Sequence, residues 1–171
     1  TTYEKLFDSQ GTKFGESDWR GHIFGDGKFD ISKRWLWGFG AEYVTDDLYL
    51  QRYERGGQGL DRGTFRAQPG RLLNQLYAIG QDTDFFVRGA ALSFQGLRGL
   101  DEDRRFPDVT PLLEGTFLYK LGPMNGQLAL NTNALKLVRA EGTDTQRLSA
   151  GLNWTGQSIF GSGLVLEPFL Q

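Results

Sequence analysis

The one histidine of the chain, His22, lies four residues before Asp26, and a histidine beside a carboxylate is a common starting point for acid–base work. On an extended strand the two sit about 13 Å apart by strand rise, too far for a direct hydrogen bond, so His22 reads as a residue of a polar face. Asp101-Glu102-Asp103 gathers carboxylates that suit calcium, but the roughly twelve-residue spacing of a calcium loop is missing. That run reads as a solvated loop. The stretch GQSIFGSG at 156–163 is rich in glycine, as phosphate loops are, yet holds no lysine. The chain has 0 cysteines, which excludes disulfides and thiolate metal sites, and its single histidine excludes a multi-histidine centre. No Ser-His-Asp arrangement can be built. The residues point to no catalytic group, no metal and no cofactor, and the protein reads as not an enzyme.

What remains is a scattered set of polar residues: Arg20, His22, Lys28, Glu42, Glu114, Lys120, Asn131 and Arg147. Their meaning depends on the elements that carry them. In residues 34–44, RWLWGFGAEYV, Trp35, Trp37, Phe39, Ala41 and Tyr43 share one parity, and Leu36, Gly38, Gly40 and Glu42 share the other. A strand gathers such aromatics on one face, whereas a helix would scatter them. Residues 19–31 alternate as well, with Phe24 as the exception, and Ser32-Lys33 between the two reads as a tight hairpin turn. Further strands are expected at 72–79, 85–97, 112–119, 127–138, 145–154 and 163–170. Turns are expected at 80–84 and 122–126. Phe117, Leu128, Leu130, Leu152 and Trp154 then join Trp35, Trp37, Phe39 and Tyr43 on an apolar face. The polar set falls on the opposite one.

Composition narrows the class. The chain has 171 residues, a formal net charge of -2 and a pI near 5.4, so no basic footprint for nucleic acid exists. Mean hydropathy is -0.43, and no apolar run approaches the roughly 18 residues of a membrane helix. That excludes helical spans but not spanning strands. The 24 glycines and 13% aromatics, with only 5 prolines, fit a β-rich chain. About eight strands, many near ten residues, are long by globular standards and suit a tilted bilayer crossing. The connections at 30–34 and 120–126 are short, while those at 46–71 and 96–108 are long and charged. This asymmetry suits an all-β, antiparallel up-and-down outer-membrane β-barrel. The pattern alone leaves open another outer-membrane barrel, porin-like, or a soluble carbohydrate-binding β-sandwich. If the protein is exported, Thr1 is not the first residue of its precursor.

The residues themselves carry a resemblance. DWRGHIFGDGKFDISKRWLWGFGAEYVTDDLYLQRY at 18–53 resembles the barrel region of the LPS-assembly family LptD, also called organic-solvent-tolerance proteins, in its alphaproteobacterial branch. Its Asp46-Asp47-Leu48-Tyr49-Leu50-Gln51-Arg52-Tyr53 is similar to the family's "DD.YL.RY" segment. FFVRGAALSFQGLR at 85–98, PLLEGTFLYKL at 111–121 and NTNALKLVRAEGTDTQRLSAGLNW at 131–154 follow in family order. The colinear set carries the resemblance, since no single motif is diagnostic. It implies a non-enzymatic part of the translocon that inserts lipopolysaccharide (LPS) into the outer leaflet of a Gram-negative outer membrane. It implies LPS, outer-membrane lipid and an LptE-like plug lipoprotein as partners. The chain, 1–171, then reads as an internal fragment of a larger barrel, with the polar set toward the lumen and the apolar set toward lipid. Arginine at Phe39 or Leu130 is expected to harm assembly more than substitution of Gly38 or Asn131.

Overall fold

The computed structural model describes residues 2–3, 19–45, 62–66, 70–97, 106–122 and 126–171. All elements among them are strands. A two-residue pair, β1 (Thr2–Tyr3) and β2 (Trp19–Arg20), precedes seven long strands. These are β3 (His22–Asp30), β4 (Trp35–Val44), β5 (Arg71–Gln81), β6 (Phe85–Gly96), β7 (Asp108–Leu121), β8 (Gly126–Val138) and β9 (Thr145–Gly156). Three short pieces follow, β10 (Ser158–Ile159), β11 (Val165–Leu166) and β12 (Phe169–Leu170). The main sheet has 8 strands in the order β12-β9-β8-β7-β6-β5-β4-β3. Every pairing in it is antiparallel, and all but β12 on β9 join chain neighbours. The fold is therefore the up-and-down all-β sheet expected from the alternation. The sheet is open, with β3 and β12 at its two ends.

The short turns lie at one end of the sheet and have local chemistry to hold them. Ser32 Oγ accepts from the N–H of Arg34 (3.3 Å) and of Trp35 (3.2 Å), fastening the β3–β4 hairpin. Asp82 N–H donates to the carbonyl of Phe85 (2.9 Å) between β5 and β6. Arg34 Nε reaches Asp82 Oδ2 at 2.8 Å, so the two turns are tied side by side. At the opposite end, Asp144 Oδ1 accepts from Arg139 N–H (3.1 Å) and closes the β8–β9 loop. The acidic run 101–103, read as a solvated loop, the LptD-like segment 46–53 and most of the expected 122–126 turn lie outside the described residues.

Three strands depart furthest from the expected bounds, each for a physical reason. The first strand, expected at 19–31, breaks at Gly21. Its start, β2, pairs with β1, while Gly21 N–H donates to Thr45 Oγ1 (2.9 Å) beside the end of β4. The final strand, expected at 163–170, splits into β11 and β12. Gly163 adopts a φ of 82° inside a turn closed by Phe160 and Leu164, and Pro168 has no N–H for a ladder. β7 begins at Asp108, earlier than expected at 112, because a bulge between Val109 and Leu112 hides its first residues from a strict two-residue period.

Glycine has a packing role at Gly38. A Cβ there would strike the Tyr77 ring and hydroxyl, and would sit 2.6 Å from the Gly27 carbonyl oxygen. Gly38 is thus poorly suited to the tolerant position expected from its polar parity. We expect Gly38→Ala to destabilise the sheet by about 1–3 kcal/mol through overpacking. Gly151→Ala, with nothing within 4 Å of its Cβ position, should be near neutral. Urea unfolding of the complete protein in detergent micelles checks the difference, and equal stability of the two variants would contradict it.

Candidate functional site

The register sorts the polar set onto one face. Across β3 and β4, His22 lies opposite Val44, Phe24 opposite Glu42 and Lys28 opposite Gly38. Gly38 pairs with Tyr77 and Gly40 with Gln75 on β5. Tyr77 and Gln75 pair with Ala90 and Leu92 of β6, and Arg88 of β6 pairs with Glu114 of β7. Glu114 and Lys120 lie opposite Asn133 and Gln127 of β8, and Asn131 lies between these. Arg147 of β9 lies opposite Leu135 on the same face. His22, Lys28, Glu42, Glu114, Lys120, Asn131 and Arg147 therefore share one side of the sheet. Arg20 lies in β2, outside the main sheet, and its side chain is not described. The other parity places Trp35, Trp37, Phe39, Tyr43, Phe117, Leu128, Leu130, Leu152 and Trp154 together on the opposite side.

The polar face is covered over part of its width. Residues 62–66, between β4 and β5, lie across it and are held chiefly by Gln75. Gln75 Nε2 donates to the carbonyls of Arg62 (2.6 Å) and Phe65 (2.9 Å). Its Oε1 accepts from the N–H groups of Thr64 and Phe65, both at 3.0 Å. Arg62 Nη1 meets Glu42 Oε1 at 2.6 Å, with both side chains nearly buried. The Arg62 carbonyl rests directly over Gly40, where any Cβ would collide with it, and Gly63 crosses Gln75 with a φ of 112°. Phe65 packs on a cluster of Leu73, Tyr77, Ala90, Leu92 and Val109. Two guanidinium–ring contacts finish the cover, Arg62 over Phe24 and Arg88 over Phe65, each 4.7 Å to the ring centroid. Arg88 Nε also donates to Glu114 Oε2 at 2.8 Å. Around Gln75 the face is thus closed over, while Asp26 and Lys28 toward the turn end stay exposed, so it is not the uniformly wet surface that alternation suggested.

Beside this cover the ladder between β4 and β5 stops at Gly40–Gln75, and side chains take over from the backbone. Asn74 Oδ1 accepts from Glu42 N–H (2.9 Å), and Glu42 Oε2 accepts from Leu73 N–H (3.0 Å). Gln95 brackets Val44, accepting from its N–H (3.2 Å) and donating to its carbonyl (2.8 Å). Glu42, expected only as a polar-face charge, thus satisfies a backbone amide and pairs with Arg62 at once. Sequence reading missed Gln75, Arg62, Phe65 and Gln95. The available signal was Asn74-Gln75, two amides in succession inside the apolar run Leu72-Leu73 to Leu76.

The apolar face is the open one. Ile23, Phe29, Trp35, Trp37, Tyr43, Leu76, Leu113, Tyr119, Leu148 and Leu152 all lie on it and are exposed, Leu148 to 82%. Glu42 and Gln75, on the polar face, are 4% and 5% exposed. No group of three metal-binding side chains occurs among the described residues. No helix among them is long and apolar enough to cross a membrane, which says nothing of strands.

A long-stranded antiparallel sheet with apolar side chains bare on one face and charges on the other has the build of an outer-membrane β-barrel wall. The family model of LptD, LPS transport system D, matches residues 18–171, and the chain belongs to that family. Its role lies in LPS transport. No curated protein was found to match the chain.

The cover on the polar face should depend on one side chain. Gln75→Leu removes four hydrogen bonds, each worth about 1 kcal/mol, while keeping an apolar stem. Hydrogen exchange at the amides of Thr64 and Phe65 should rise by at least about tenfold, with exchange in β8 unchanged. Unaltered protection at Thr64 and Phe65 would show that Gln75 does not hold the segment.

Proposed function

We propose that this chain is a stretch of the wall of the outer-membrane translocon that inserts LPS into the outer leaflet. Residues 1–171 form part of a larger barrel. The apolar face meets outer-membrane lipid, and the polar face lines a water-filled lumen. The observation that carries this reading is the inversion of burial. A soluble sandwich packs its large apolar side chains inward and leaves charges in water. Here aromatics stand in the open while Glu42 and Gln75 are buried. Trp35, Phe85, Tyr119 and Trp154 cluster near the turn end of the apolar face and Tyr43 near the loop end, as the two aromatic girdles of a barrel would. The Trp154 indole N–H is buried without a partner among the described residues.

The mechanism is physical and needs no covalent step. Sugars travel in the polar lumen while acyl chains keep to an apolar environment, and an LptE-like lipoprotein shares the lumen with them. The free edges of the sheet fit a partial barrel. Among the described residues β3 pairs only with β4, and β12 covers β9 only at Trp154 and Thr155. In hydrocarbon such edges need neighbouring strands, because unpaired N–H and C=O groups there cost several kcal/mol each, on the order of the penalty for a buried polar group.

A charge scan tests the face assignment. Phe39→Arg and Leu130→Arg should each cost roughly 2–4 kcal/mol near the middle of the bilayer, and the heat-modifiable, assembled form should be lost on gels. Asn131→Arg, on the opposite face, should leave assembly intact. Equal tolerance at both parities would overturn the reading.

A further inference from the structure

The polar face is not uniform, and its two halves differ in a way that bears on passage. Toward β3–β6 it carries the charges of Asp26, Lys28, Glu42 and Arg88, and residues 62–66 lie across it. On β8 and β9 the same face presents Gln127, Asn131, Asn133, Ser149, Asn153 and Thr155. None of these ionises. The nearest ionisable groups on that side of β7 to β9 are Lys120, opposite Gln127, Glu114, opposite Asn133, and Arg147, opposite Leu135. Glu114 is already engaged by Arg88. Gln127, Ser149 and Thr155 are exposed, and Gly151 has nothing within 4 Å of where a Cβ would stand.

Resting on the conduit reading above, we propose that this neutral lane on β8 and β9 carries the uncharged saccharide portion of LPS, and that the Gln75 half of the face does not. Amides and hydroxyls both donate and accept, which matches sugar hydroxyls. From Gln127 to Asn133 the lane runs about 20 Å at strand rise, the length of several sugar rings. With no ionisable side chain on this face between Gln127 and Asn133 or between Ser149 and Thr155, it holds a passing glycan weakly at many points, and transport needs binding weak enough to release. A protein plug would seek large buried apolar or aromatic anchors. Between Gln127 and Asn133 this face of β8 offers only Ala129 in that character. The other half already has an occupant in 62–66.

Site-specific photocrosslinking in the complete protein, in cells, tests the assignment. The crosslinking residue is placed at Asn133, Ser149, Ile79 or Leu130, and adducts are probed for LPS. Adducts are expected at Asn133 and Ser149 but not at Ile79, which packs against the covered cluster. They should disappear when LPS is truncated to its innermost sugars. Gly151→Trp fills the open space and should abolish them, while Gly25→Trp, in equally open space on the apolar face, should preserve them. LPS adducts at Ile79 without any at Asn133 and Ser149 would overturn the lane and leave the conduit standing. Adducts at Leu130 alone would overturn the conduit as well. Protein adducts in place of LPS at Asn133 and Ser149 would assign the lane to a plug. Lane adducts that persist with truncated LPS would also overturn the proposal. Should Gly151→Trp fail to assemble, crosslinking in the otherwise unaltered protein still decides.

Discussion

Every backbone N–H and C=O in a sheet that faces hydrocarbon needs a partner within the sheet, and most features of this chain follow from how that need is met. From β3 to β9 the antiparallel ladder meets it almost throughout. The exception is the upper part of the β4–β5 seam, where the strands part after Gly40 and Gln75. There Asn74, Glu42 and Gln95 reach across with side-chain oxygens and nitrogens to the backbone of Glu42, Leu73 and Val44. Parting the strands without those side chains would leave amides bare. With them, the seam can open enough for 62–66 to return onto the sheet.

That return changes the character of the polar face. A polar face built only from alternation would be wet along its whole length. Here Phe65 and the aliphatic part of the face form a small core, and the Arg62–Glu42 pair closes over it. Removing one partner of such a buried pair costs more than the pair contributes, because a charge is left without compensation. Glycine makes the approach possible at two points. Gly40 lets the Arg62 carbonyl sit on the strand, and Gly63 turns the chain over Gln75 in a conformation that other residues adopt with strain.

The periodicity was enough to read the strands, the turn at Ser32 and the sorting of residues to two faces, because side-chain direction in a strand is set by parity alone. The bulge in β7 escaped for the same reason. One extra residue between Val109 and Leu112 inverts the parity on its far side, so a strict period sees the strand end there. The cover over the polar face escaped because it depends on contacts between residues far apart in sequence. Gln95 reaches Val44, 51 positions away, and no local pattern announces such a bond. Asn74-Gln75 marked the place, but an amide pair in an apolar strand does not say what it will hold.

The family match and the geometry support each other at different levels. The match over 18–171 ties the chain to LPS transport but does not say which face meets which solvent. Burial supplies a reason to choose. If the aromatic face were in water, Trp35, Trp37, Tyr119 and Leu148 would each forfeit the hydrophobic gain of burial, while Glu42 and Gln75 would still bear the cost of desolvation. Placing lipid against the aromatics removes the first penalty, and the hydrogen bonds around Gln75 offset the second. The same assignment leaves the amides of β8 and β9 facing water with no covering segment among the described residues. That is the condition under which a polar wall can exchange its hydration for the hydroxyls of a passing sugar at little net cost.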